Sequence, residues 1–126
     1  MLNQWRYEIR ASIHDKIGGH MKKALNIGKQ IEIMNGTDVP FIGDHQMTIG
    51  ELITRIVPVA NSGSDYMRAM NLGYDIDRAI SANESTFDIS SEDRKLLRRT
   101  VIDNNNHPIW SGNWAKWNLE KAFEEE

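Results

Sequence analysis

The chain is interrupted at close intervals. Gly18-Gly19, Asn35-Gly36, Pro40, Pro58, Asn61-Ser62-Gly63-Ser64, the polar Ser81–Thr86 run and the Asp103–Pro108 run each break an apolar pattern. Glycine pairs and proline stop helices, and proline is excluded from central strands. Only short helices and shorter strands fit between these stops, and short elements must share one core. The sequence supplies enough for that: 126 residues, 40% hydrophobic and 26% charged, is one ordinary domain spanning residues 1–126.

Periodicity assigns the segments. Trp5, Ile9, Ile13, Ile17 and Met21 recur every four residues, which predicts a helix over residues 2–25, kinked at Gly18-Gly19. Lys29–Met34 alternates with period two, Asn35-Gly36 follows, then Thr37–Ile42; this predicts a β-hairpin. Thr48-Ile49-Gly50-Glu51 is a capping box opening a short helix with Ile49, Leu52, Ile53 and Ile56 on one side. Ser64 or Asp65 caps a longer helix with Tyr66, Met70, Gly73, Ile76 and Ile80 along one face. Ser90-Ser91-Glu92-Asp93 starts another, carrying Leu96, Leu97, Thr100 and Val101 inward. The last helix begins near Ser111, with Trp110, Trp114, Trp117 and Lys121 at helical spacing, and frays into the acidic tail 124–126. The expected fold is mainly α: four to five helices and one small β-hairpin.

Several functions are set aside by residue type. The chain has no cysteine, which removes disulfides, thiol nucleophiles and cysteine metal sites and suits a reducing, cytoplasmic setting. No apolar run is long enough for a membrane span, and MLNQWRYEIR is too charged for a secretory signal. His14, His20, His45 and His107 form no metal motif and read as exposed or locally hydrogen-bonded. The Asp103–Pro108 run lacks the glycine and the terminal glutamate of a calcium loop. Asp75 and Asp77, the best carboxylate pair, stand ~200° apart around a helix and share no face. No nucleophile, P-loop or dinucleotide motif is present. The expectation is a non-enzyme with no cofactor and no metal.

Binding is what remains. Residues 1–30 carry six Lys/Arg against two acids, residues 31–93 three against eleven, within an overall charge of −3; such asymmetry bears on association. Arg94, Lys95, Arg98 and Arg99 place four cations on the outside of one helix, a candidate phosphate, nucleotide or nucleic-acid face. Trp5, Trp110, Trp114, Trp117 and Phe123 are candidate protein contacts, because tryptophan dominates interface hot spots. The last helix is apolar on two sides, which points to a protein partner or a homo-oligomer. Met34, Met47, Met67 and Met70 suit either an adaptable surface or core filling.

The order of motifs over about residues 31–120 resembles small helical proteins encoded by phages and prophages. It comprises the strand pair, Thr48-Ile49-Gly50-Glu51-Leu52-Ile53, Met67–Ile76, Phe87-Asp88-Ile89-Ser90-Ser91-Glu92-Asp93, and Pro108-Ile109-Trp110 leading into the final helix. The resemblance implies a non-catalytic accessory protein in the host cytoplasm. Its role would be a host-directed, anti-defence inhibitor working through protein contacts or ligand sequestration, or else a virion or assembly component. The matching positions are caps and core residues, so no site residue follows from it.

Overall fold

A computed structural model describes residues 22–32, 41–61 and 63–124. Along the chain run β1 (Lys23–Leu25), β2 (Phe41–Ile42), β3 (His45–Gln46), α1 (Ile49–Ile56), a 3-10 turn (Val57–Val59), a second one (Gly63–Asp65), α2 (Tyr66–Ser81), β4 (Phe87–Ile89), α3 (Ser91–Arg98) continuing as a π-turn (Arg99–Asp103), and α4 (Asn113–Glu124). The fold is mainly helical with a small hairpin, as the sequence implies. β1 pairs antiparallel with β4, in register Lys23↔Ile89 to Leu25↔Phe87, and β2 pairs antiparallel with β3. α1 packs on α2 and α4, and α3 lies against both α2 and α4.

The core follows from the sequence pattern. On α1, Ile49, Leu52, Ile53 and Ile56 are each at most 1% exposed, and burial of each such side chain contributes about 1.5–3 kcal/mol. Thr48 caps α1 in the expected box: its hydroxyl accepts from the Glu51 amide, while the Glu51 carboxylate accepts from the Thr48 amide at 3.0 Å. Ser90 caps α3 in the same way, accepting from the Asp93 amide. Leu96, Leu97, Thr100 and Val101 point inward as expected, and the buried Thr100 hydroxyl donates to the Leu96 carbonyl at 2.8 Å. α2 ends where Asn83, at φ +60°, turns the chain so that the Asn83 and Glu84 amides donate to the last carbonyls.

Four expectations need correction. Residues 22–25, placed in the N-terminal helix, hold β1 instead. The competing signal is Leu25 and Ile27, buried and two residues apart where the chain leaves β1 and turns at Ile27-Gly28. The remainder of that helix, with its glycine kink and Trp5, lies outside the described residues, as does the Asn35-Gly36 turn. The described hairpin turns at Gly43-Asp44, with Gly43 at φ +61° in the first central position of its two-residue loop, where a hairpin asks for glycine. The Lys29–Glu32 segment runs beside Gln46–Thr48 rather than beside Ile42, joined by the Ile31 amide donating to the Met47 carbonyl at 3.0 Å.

The other two corrections concern helix faces. The buried face of α2 is Ala69, Leu72, Gly73, Ile76 and Ala79, so Tyr66 is exposed and Met70 and Ile80 stand half-buried at its edge. Small residues let α2 sit close to its neighbours, and a pattern weighted toward large side chains misses them. On α4 the buried face is Ala115, Asn118, Leu119, Ala122 and Phe123, so Phe123 belongs to the core rather than to a contact surface, while Trp114 packs at the edge of the core and Trp117 is exposed.

Candidate functional site

α1 packs on α2, with Val57, in the turn that follows α1, lying beside Gly73 of α2. Beside this contact lies a cleft of about 480 Å³, within the size range of small-ligand sites. α1 contributes Glu51, Thr54 and Arg55, the following turn Val57 and Pro58, α2 Met70, Gly73, Tyr74, Asp77 and Ile80, and the loop before α4 closes it with His107. Tyr74 is 57% exposed, so its side chain is accessible to a ligand.

The polar groups of the cleft divide into fixed and uncommitted ones. Glu51 is fixed: besides its capping bonds, its carboxylate meets the His45 imidazole at 2.8 Å. His107 is fixed too. Its Nδ1 accepts from the backbone amides of Ile109 at 3.0 Å and Trp110 at 2.9 Å, so Nε2 carries the proton and remains a donor. Asn105 completes the same loop, accepting from the His107 amide and donating to the Trp110 carbonyl. Arg55 and Asp77 are uncommitted. Each makes no ion pair or hydrogen bond with any described residue, and each is exposed.

The two histidines titrate in opposite senses. The bond to Glu51 holds the His45 pKa above the ordinary histidine value, with the Glu51 and Asp44 charges adding to it against some desolvation. Desolvation pushes His107 below that value, and the Arg55 charge adds to it. The stabilisation from His45 is therefore complete below pH ~6.5 and is lost as pH rises through its raised pKa. That from His107 is complete above pH ~6.5 and is lost as pH falls through its lowered pKa. An NMR titration of both rings should find His45 protonating first as pH falls. Replacing His107 with Gln should flatten the acid side of the stability curve, and replacing His45 with Gln the alkaline side.

The residues singled out in the sequence do not converge. Trp110 and Trp114 pack edge-to-face at 5.8 Å against the core, with Trp110 also beside the His107 ring. Trp117 stands apart, 41% exposed, with the Lys121 ammonium 5.1 Å from its ring centre and Lys121 in turn bonded to Glu32 at 2.8 Å. Phe123 is a core residue at 5% exposure, so the folded chain cannot present it to a partner. Of the basic helix face, Arg94 donates to the Phe123 carbonyl and lies over that ring, and Arg99 pairs with Asp65 at 2.8 Å. Lys95 and Arg98 stay exposed, and Asp65, Glu92 and Asp93 border the same surface. The four cations thus form no continuous phosphate track. Met47 is buried, Met70 lines the cleft and Met67 is 68% exposed, while Met34, His14 and His20 lie outside the described residues.

The cleft itself has a sequence signal only in retrospect. Asp75 and Asp77 do face different ways, as the helix geometry requires: Asp75 is bound to Arg78, and Asp77 turns to the cleft. Among the described residues no group of three or more His, Asp or Glu could hold a metal ion, and no helix is long and apolar enough to cross a membrane. No protein-family model, no curated protein and no solved structure matches the chain.

Proposed function

We propose that this protein works by binding, as a host-directed accessory protein of the phage type, and that it sequesters a small ligand in the α1–α2 cleft. The observation that carries the reading is the coincidence of an open aromatic wall, Tyr74, with two uncommitted charges, Arg55 and Asp77, around one concave space. The charges share one cleft with the apolar Pro58, Met70 and Ile80, a combination that gains from a ligand able to use both. His107 adds a fixed donor, and its Nδ1 is occupied by backbone amides, which favours recognition over proton transfer. Contact with a protein partner or a second copy falls in this reading to Trp117 and Ile109, exposed at 41% and 65%.

Sequestration has a direct test. Protein purified natively from bacterial cells and then denatured should release a small molecule in near-stoichiometric amount, detected by mass spectrometry. The Tyr74→Ala variant, altered only at an exposed ring, should fold and release far less. Release of nothing, or equal release from both proteins, contradicts the reading.

A further inference from the structure

Resting on the cleft reading above, a second question is what chemistry the ligand carries. Arg55 stands on the α1 wall and Asp77 on the α2 wall, and they make no ion pair with each other. The cleft therefore offers a guanidinium with unused donors from one helix and a carboxylate with unused acceptors from the other. The apolar part of the lining is Pro58, Met70 and Ile80, with the exposed Tyr74 in the same wall. Glu51 also lines the cleft, but its oxygens already accept from Thr48 and His45 and are less free to bind a ligand than those of Asp77.

We infer that the cleft takes an aromatic acid that also bears N–H donors, the acid lying on Arg55, the N–H groups on Asp77 and the ring against Tyr74. A bidentate guanidinium–acid contact is among the stronger recognition elements in proteins, and a carboxylate accepting from ring N–H groups fixes the orientation. A purely apolar ligand leaves both charges unused. A simple dianion without a donor edge meets Asp77 as a like charge. A purine mononucleotide and an aminobenzoate both satisfy the chemistry, and they differ in size and in whether the acid is a phosphate or a carboxylate.

Calorimetry on the full chain separates these possibilities. The probes are adenosine 5′-monophosphate, 4-aminobenzoate, and their acid-free counterparts adenosine and aniline. At least one of the two acids should bind about tenfold or more tightly than its acid-free counterpart. Binding of the nucleotide alone assigns a phosphate ligand, and binding of the benzoate alone a carboxylate. Arg55→Ala should remove the preference for the acid, Arg55→Lys should restore part of it, and Asp77→Asn should weaken binding of both acids. Equal binding of acids and counterparts, or an unchanged preference in Arg55→Ala, overturns the inference. If denatured native protein releases a cleft compound that has no acid group, this inference falls and sequestration stands; if nothing is released and no probe binds, both fall.

Discussion

Asn118→Ala should lower the unfolding free energy by about 2–4 kcal/mol, since buried amide partners left unpaired cost about 1–3 kcal/mol each. Asn118 is 3% exposed on α4, the only buried polar side chain besides Thr100 among the described residues. Its Oδ1 accepts from the Glu32 amide at 2.8 Å, and its Nδ2 donates to the Glu32 carbonyl at 3.2 Å and to the Trp114 carbonyl at 2.8 Å. One side chain thus imitates a strand, tying residues 29–32 to the last helix across 86 positions of sequence. Removing it strands the Glu32 amide and carbonyl. The Lys121–Glu32 ion pair beside it is more than a third exposed and offsets little of the loss. Urea denaturation followed by fluorescence measures the change. Asn118→Asp should be no better than Ala, because the carboxylate has no donor for the two carbonyls. A cost under ~0.5 kcal/mol, the level of an ordinary surface substitution, contradicts the role assigned to Asn118.

Gly50→Ala should cost about 1–3 kcal/mol, the usual effect of overfilling a packed site, whereas Gly73→Ala should be neutral or stabilising by up to ~1 kcal/mol. Both glycines are helical and buried, and propensity alone ranks alanine above glycine at each. Their surroundings decide otherwise. A Cβ at position 50 would lie 2.9 Å from the Ile27 Cβ and 3.0 Å from the Ile27 carbonyl oxygen, which itself accepts from the Gly50 amide at 2.8 Å. That backbone cannot yield without breaking the bond joining α1 to the segment after β1. At position 73 the nearest atom is a Val57 methyl at 3.5 Å, an ordinary contact. Thermal unfolding of the two variants should move in opposite directions. A Gly50→Ala protein as stable as the original would remove the claim that α1 and the strand segment meet at van der Waals limits.

These two predictions mark what was legible in the sequence. Caps were legible, because Thr48 and Ser90 act through neighbours three residues away and local geometry determines the outcome. The apolar stripes of α1 and α3 were legible for the same reason. Asn118 was not, because an amide at a helical position looks solvated until the strand it serves is known. Gly50 was hidden inside its own capping box. The tryptophans drew attention by size, yet on α4 the alanines at positions 115 and 122 mark the buried side more truthfully, since close approach needs small residues. β1 went unread because a four-residue stripe upstream ran into a two-residue alternation, and the longer pattern claimed the shared residues.

The candidate site was the least legible part. Arg55 reads in sequence as the favourable cation in the last turn of α1, and Asp77 as one exposed acid among several. Only the crossing of α1 and α2 puts them around one space with Tyr74. The basic face of α3 was legible as a set of residues, but Asp65 and the Phe123 carbonyl, which draw off Arg99 and Arg94, come from distant segments.

Fragment mapping by amide NMR tests the central claim most directly. With a panel of small aromatic fragments added to labelled protein, shift changes should concentrate on Thr54, Arg55, Met70, Tyr74, Asp77 and His107. Changes centred instead on Arg94–Arg99 or on Trp114–Lys121, with the α1–α2 cleft silent, would contradict it.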